Sequence, residues 1–207
     1  MHIRALLCSA VLLGLSACSQ LPAPGVSVPL TAQQQAAPVP ASLSDIEQQQ
    51  FQQAKALLQA EDYAAAVAVL QQLAEAVPAA SGVGYNLALA QWHSGNVEAA
   101  QQRLLQVVGV APDYTAAHNL LGVLARQQGN FRQAERHFQR ALQADASYAI
   151  AHKNLAFLYE LYLGELLQAH YHYKQYYQLT ADEQAKGWLV LLEQQLTQEE
   201  KHEQTDL

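Results

Sequence analysis

Thiols are scarce in this sequence. The only two cysteines, Cys8 and Cys18, lie within the first 18 residues, so residues 19–207 contain none. A disulfide framework, a thiolate metal site and a cysteine nucleophile are therefore excluded from that part of the chain.

Basic residues are also few. The chain has 11 Lys and Arg against 18 Asp and Glu, which gives a formal net charge of −7. Nucleic-acid binding needs a clustered basic surface, so the composition argues against that class of function. The sequence shows no nucleotide-binding glycine loop, no serine nucleophile with a plausible base and no close acidic pair in a cleft. We therefore predict that the protein is not an enzyme and uses no cofactor.

The N-terminal segment has the features of a secretory signal. Arg4 supplies a basic start, and residues 5–15 form an apolar run that is too short to span a bilayer permanently. The sequence Leu-Ser-Ala-Cys that ends at Cys18 resembles the lipobox of bacterial lipoproteins. This resemblance implies that residues 1–17 are a signal peptide and that Cys18 carries lipid. Because Ser19 rather than Asp follows, it also implies an outer-membrane anchor that faces the periplasm; the alternative is an ordinary secretory signal with a chance cysteine.

The next segment, residues 18–43, is predicted to be a flexible tether. Residues 19–42 hold five of the seven prolines, no charged residue and no periodic apolar face. Such a composition cannot bury enough apolar surface to fold. Fully extended as polyproline II, these residues would reach about 75 Å.

From residue 44 onward the chain repeats itself. Units that begin at Glu47, Ser81, Thr115 and Ala149 follow one another at a constant interval, and we number places within each unit from these residues. Place 8 is small in every unit, place 20 is alanine in the first three, and place 24 is large and apolar in those three. Place 8 holds Ala54, Ala88, Gly122 and Ala156, and place 24 holds Leu70, Leu104 and Phe138.

This period and these residue types resemble the tetratricopeptide repeat (TPR) family, over residues 47–183. The resemblance implies an all-α, right-handed superhelix of about four helix-turn-helix repeats within residues 44–183. In each repeat, a first helix (helix A) packs antiparallel on a second (helix B). The four repeats are predicted at residues 47–80, 81–114, 115–148 and 149–183.

Two features depart from a regular array. The fourth unit needs one inserted residue around Gly164 to bring its small and large places back into phase. After it, Trp188, Leu192 and Leu196 recur at helical spacing, which predicts a capping helix over residues 184–198. The charged residues 199–207 are predicted to be a disordered tail.

In TPR proteins, the helices A line a concave groove that holds partner peptides. The resemblance places nine residues of this chain there: Tyr85, Leu89, Trp92, Asn119, Val123, Arg126, Lys153, Phe157 and Glu160. Aromatic and arginine side chains are the usual anchors of protein interfaces. The alternative is that the array buries some of these residues against its own capping helix or a second copy.

Other candidate sites are weaker. His170 and His172 are two residues apart on a predicted helix and so point to nearly opposite sides, which argues against a metal site. His118 and His152 share place 4 of adjacent units and are predicted to be stacking spacers. The carboxylate clamp of some TPR domains is excluded because Ala116 and Leu120 stand where basic residues would be needed.

The chain is similar to the TPR lipoproteins of Gram-negative envelopes that act as pilotins for secretins or as scaffolds. The resemblance implies an adaptor, anchored in the membrane by lipid, that binds a protein or peptide of the cell envelope through its groove. One alternative is a self-associating structural lipoprotein. Another is a module that binds peptidoglycan or a small ligand, which we rank last because few polar groups converge in the groove. The sequence leaves the partner and the oligomeric state open.

Overall fold

The computed structural model describes residues 43–205, and these residues fold as a series of antiparallel helices. The predictions for the signal peptide, for Cys18 and for nearly all of the tether lie outside the described residues, as do positions 206 and 207. The helices, in chain order, are α1 (Asp45–Gln59), α2 (Tyr63–Ala76), α3 (Ser81–His93), α4 (Val97–Val110), α5 (Thr115–Gln127), α6 (Phe131–Ala144), α7 (Ala149–Leu158), a π-helical turn (Tyr159–Leu163), α8 (Leu166–Thr180) and α9 (Glu183–Thr205).

Local sequence signals set the ends of these helices. The Ser44 amide donates to the Glu47 carboxylate at 2.7 Å, and the Glu47 amide donates to the Ser44 hydroxyl, so a capping box starts α1. The turns between paired helices contain Gly95 and Gly129 at φ of 84° and 76°. Glycine adopts this left-handed backbone without a steric penalty, so it suits the tight turn between two antiparallel helices.

Small side chains let the two helices of each unit approach closely. Ala54, Ala88 and Ala156 at place 8 are fully buried. At the same place, a methyl group on Gly122 would lie only 2.5 Å from the ring of Phe138 in the facing helix. The core therefore lies between the A and B helices of each unit and continues from one unit to the next.

The fourth unit contains the predicted insertion as a π-helical turn. This turn, Tyr159–Leu163, follows α7 directly and ends at Gly164, whose φ is 67°. A single extra residue in a helix is commonly absorbed as one turn of π-helix. Beyond it, Ala169 and Tyr173 are fully buried, so the small and large places return to phase as predicted.

Helix α9 covers the end of the array. Leu192 is buried, and Trp188 and Leu196 pack against the same core cluster as Tyr173, so the predicted apolar face is confirmed. The prediction of a disordered tail is wrong for residues 199–205, because α9 continues to Thr205. This stretch is rich in Glu, Lys and Gln, which favour helix, and it holds no Gly or Pro to end one. None of the helices within residues 43–205 has the length and apolarity needed to cross a bilayer.

Candidate partner-binding groove

Helices α3, α5 and α7, the A helices of the second, third and fourth units, carry eight of the nine predicted groove residues, and Glu160 follows in the π-helical turn. Hydrogen bonds between side chains join these helices. The Trp92 indole N–H donates to the Gln127 side-chain oxygen at 3.2 Å, between α3 and α5. The Asn154 amide donates to the Asn119 side-chain oxygen at 2.9 Å, between α7 and α5. These contacts fix how far the predicted groove residues stand from one another.

Three of the nine predicted groove residues are buried. Tyr85, Leu89 and Asn119 are only 2%, 3% and 3% exposed. The prediction that they offer surface to a partner is therefore wrong. Neighbouring side chains cover two of them directly. The Tyr114 ring, at the end of the same unit, lies 5.5 Å from that of Tyr85, and the Asn154 side-chain amide of the next unit donates to the Asn119 side-chain oxygen.

Trp92, Val123 and Arg126 remain partly exposed. Trp92 and Val123 pack at the edge of one core cluster, which leaves part of each side chain accessible. Burial lowers the pKa of Arg126, and the Tyr162 hydroxyl nearby partly offsets that effect. Among the described residues, no carboxylate forms an ion pair with Arg126. The three side chains together offer apolar surface and a half-buried cation.

The fourth-unit end of the predicted groove is held by partners within the chain. The Lys153 ammonium lies 5.3 Å from the centre of the Tyr176 ring, and burial lowers the pKa of Lys153, with Asp182 opposing the shift. The Phe157 ring meets the Trp188 ring edge to face at 5.1 Å. The capping helix therefore covers part of this end of the groove. This agrees with the alternative that the array buries some groove residues against its own capping helix.

Glu160, the last predicted groove residue, accepts a hydrogen bond from the Tyr173 hydroxyl. Burial raises the pKa of Tyr173, and the Glu160 carboxylate raises it further, so the hydroxyl stays protonated and the bond is kept. Trp188, which contacts Phe157, was not among the nine predicted groove residues. Its helical phase with Leu192 indicated packing against the array but not which groove residue it would meet.

Two pairs of imidazoles occupy equivalent positions in consecutive units. The His118 and His137 rings are stacked 5.9 Å apart, and one unit later the His152 and His172 rings lie 5.1 Å apart. The Nε2 atoms of His118 and His152 lie within hydrogen-bonding distance of the backbone carbonyls of Pro112 and Ala146, so each Nε2 carries the proton. Both His118 and His152 are buried and each packs against another imidazole, which agrees with a packing role.

The electrostatics of these pairs follow from burial. Burial, and then the neighbouring His152, lower the pKa of His172 to about 4. Burial lowers the pKa of His137 to about 4 as well, and His118 and two nearby arginines add to the shift. His137 and His172 are therefore neutral near pH 7.

His170 points away from the His172 pair, as its spacing predicted. Its Nε2 lies 3.0 Å from the Glu193 carboxylate of α9, whereas the His172 Nδ1 lies 2.9 Å from the His152 Nδ1. No cluster of three or more potential metal ligands occurs in the part of the chain that the structure describes.

Comparison with known families identifies the repeats. Residues 57–124 and residues 115–148 each match a tetratricopeptide repeat family profile. Among curated protein sequences, none matches this chain.

Solved structures show the same fold. A thermophilic TPR protein of Thermus thermophilus aligns with a TM-score of 0.61 at 23% identity, covering 72% of this chain and 82% of its own. Pseudomonas aeruginosa pilF aligns at 0.67 and 16% identity, covering 73% and 69%. MamA aligns at 0.61 and 19% identity, covering 70% and 84%. The chain therefore contains TPR repeats and folds as an all-α TPR superhelix, a fold that is typical of protein–protein interaction scaffolds.

Proposed function

We propose that this TPR scaffold is an outer-membrane-anchored periplasmic adaptor that holds a segment of another envelope protein against Trp92, Val123 and Arg126. The observation that supports this most is the half-buried Arg126 guanidinium, which forms no ion pair among the described residues and lies on the same helix as partly exposed apolar surface. A partly buried cation gains most from a partner that supplies a carboxylate. The proposed occupant is therefore a peptide segment with an apolar side chain and an acidic group, and catalysis has no part in the proposal.

The anchoring half of the proposal depends on the N-terminal sequence. The Leu-Ser-Ala-Cys motif supports lipid attachment at Cys18, and Ser19 supports export to the outer membrane. Two or three acyl chains make a stable anchor, since each buried methylene contributes about 0.8 kcal/mol. The proline-rich tether would hold the repeats away from the bilayer, where a partner can reach them.

Site-specific crosslinking in living cells tests the groove. A photoreactive side chain placed at the exposed Gln127, which contacts Trp92, should capture an envelope protein. The matched control places the same group at Gln106, an exposed glutamine of helix α4. Capture from both positions would indicate non-specific reaction, and capture from Gln106 alone would place the interface elsewhere.

Mutation of Trp92 then measures the energy of the site. Truncation of an interface aromatic commonly costs at least about 2 kcal/mol of binding, so Trp92→Ala should weaken binding of the captured protein about thirtyfold. Because the Trp92 ring is only partly buried, unfolding by urea should change much less than for Leu104→Ala. A Trp92→Ala variant that binds normally would contradict the groove proposal.

Membrane fractionation tests the anchor separately. Cys18→Ala should leave the chain unlipidated, and carbonate washing should then release it or leave only an uncleaved precursor. A Cys18→Ala variant that is still processed and still membrane-bound would show that the lipoprotein interpretation is wrong.

A further inference from the structure

Helix α9 occupies the position of a fifth helix A. Its first residue, Glu183, follows Ala149 by the same interval that separates the four units, which makes Ala185 place 3 and Leu192 place 10 of a further unit. Ala185 is fully buried and Leu192 is 2% exposed. The second, third and fourth units bury the same two places, with Val83, Ala117 and Ala151 at place 3 and Ala90, Leu124 and Leu158 at place 10.

A contact between helices supports the same register. The Tyr159 hydroxyl donates to the Glu135 carboxylate at 2.7 Å, which joins place 11 of the fourth unit to helix B of the third. One unit later, allowing for the inserted residue, the equivalent pair is Glu193 and His170, whose side chains meet at 3.0 Å. Helix α9 thus packs on α8 as α7 packs on α6.

What α9 lacks, within the described part of the chain, is a helix B. Place 8 faces helix B and is buried in all four units, but in α9 this place is Val190, which is 48% exposed. The adjacent Leu191 is 66% exposed, and the exposed residues Gly187 and Gln194 extend the stripe by one turn in each direction. The stripe of Gly187, Val190, Leu191 and Gln194 follows the i, i+3, i+4, i+7 pattern by which one helix packs on another. No helix among residues 43–205 covers it.

We propose that α9 of a second copy of this chain covers this stripe, so that the protein forms a dimer through antiparallel α9 helices. In every unit, helix B runs antiparallel to its helix A. Two copies of α9 related by a two-fold axis perpendicular to them are also antiparallel, so the second copy takes the position of the missing helix B. This contact does not depend on the concave groove.

Charge favours a second copy of this chain as the occupant. The chain carries a net charge of −7, so contact between two copies meets less repulsion at a neutral surface than at an acidic one. Residues 187–198 contain a single charged side chain, Glu193, which lies outside the stripe and contacts His170 of α8. In an antiparallel pair centred between Val190 and Leu191, Gly187 of one copy lies opposite Gln194 of the other, so the stripe meets itself and no like charges meet within it.

One end of the stripe also permits close approach. A methyl group built on Gly187 would meet no atom within 4 Å, so the backbone is open to the surface at this point. Close approach of helix backbones increases the number of packing contacts that each apolar side chain makes.

Sedimentation velocity of the full-length chain in a mild non-ionic detergent, across a dilution series, tests the proposal. The parent should sediment as a concentration-dependent dimer. Leu191→Glu should raise the dissociation constant at least tenfold, because it brings two carboxylates together at the two-fold axis. The matched control is Leu167→Glu, at a leucine of α8 that is 74% exposed, and it should leave the dimer unchanged.

Circular dichroism at a concentration low enough for the parent to be monomeric keeps the comparison clean, because both leucines are exposed and all three monomers should then melt alike. A parent that is monomeric at every concentration would overturn the proposal, as would a dimer that survives Leu191→Glu. A dimer that Trp92→Ala disrupts and Leu191→Glu leaves intact would assign self-association to the groove. Binding of a different protein to α9 of a monomeric parent would also overturn it.

Discussion

Gly122 is the position at which the close packing of a helix pair can be tested most directly. A Cβ atom added there would lie 2.5 Å from two ring carbons of Phe138 and 2.9 Å from a third. Carbon atoms in contact normally lie about 3.5 to 4.0 Å apart, so the ring would have to move by about 1 Å. Phe138 is fully buried in the core cluster that also contains Tyr173, so its ring has no free space to enter.

Two opposing effects set the size of the change in Gly122→Ala. Overpacking of a well-filled core costs about 1 to 3 kcal/mol. Replacing glycine by alanine inside a helix contributes about 1 kcal/mol in the other direction. Because the clash involves three ring atoms of a fully buried side chain, we take the upper part of the first range. The expected net loss is then about 2 kcal/mol of the free energy of unfolding, the difference between the overpacking cost and the gain in helix propensity.

The second unit supplies the control for this prediction. There, Ala88 at place 8 and Leu104 at place 24 are both fully buried, so alanine is compatible with leucine at the facing place. The double variant Gly122→Ala/Phe138→Leu reproduces that pair in the third unit. Phe138→Leu alone should cost about 1 to 2 kcal/mol through the space that it leaves. The double variant should be about as stable as Phe138→Leu, which gives a favourable coupling energy of at least about 1 kcal/mol.

Urea unfolding followed by far-ultraviolet circular dichroism measures all four proteins of this cycle. The reasoning fails if Gly122→Ala is as stable as the parent, or if the two substitutions simply add.

Three further predictions concern the core, the cap and pH. Leu104→Ala should lower the free energy of unfolding, measured in urea, by about 2 to 5 kcal/mol, because truncating a fully buried leucine leaves a cavity. A loss under about 1 kcal/mol would contradict the assignment of Leu104 to the core. Trp188→Ala removes ring contacts with Phe157 and Tyr173. We expect a protease to cleave this variant within α9 before it cuts the rest of the array. Uniform cleavage along the chain would argue against a capping role. The pKa of His172 is about 4 in the folded chain and about 6.5 in the unfolded chain. Between these pH values the unfolded chain binds more protons. The contribution of His172 should therefore lower the free energy of unfolding by about 1 to 2 kcal/mol from pH 7 to pH 5. His172→Gln should remove this contribution in urea titrations at the two pH values and leave the similar contribution of His137, whose pKa is also about 4. An unchanged pH dependence would show that His172 does not contribute to it.

The regular parts of the fold could be predicted because each unit repeats the same packing problem. A small place 8 in four units and a large place 24 in the first three indicate a close helix pair. Gly-Asn at residues 95–96 and 129–130 indicates where the second and third pairs bend. The insertion near Gly164 was also predictable, since only a shift of one residue restores the phase of Ala169 and Tyr173. Its form as a π-helical turn depends on how the extra residue is absorbed, which a one-dimensional pattern does not contain.

Exposure in the groove was harder to predict than helix position. Tyr85 and Asn119 share place 5 of adjacent units with Lys153, and the pattern treats the three alike. The structure separates them, because Tyr114 covers Tyr85 and Asn154 caps Asn119, whereas Lys153 stays partly exposed beside Tyr176. The residue types that contact each of these places decide the outcome, and they differ from unit to unit.

The histidine pairs combine a feature that the repeat period predicts with one that depends on the inserted residue. His118 and His152 share place 4, so their common role follows from the period of the repeat alone. Their partners, His137 and His172, are separated by one residue more than that period, and a strict period assigns them to different places. Once the inserted residue is carried forward along helix α8, both fall at place 23, and the second pair is predictable from the first. A repeat array with one insertion must therefore be aligned on each side of the insertion separately, because every contact between the two helices of that unit crosses it.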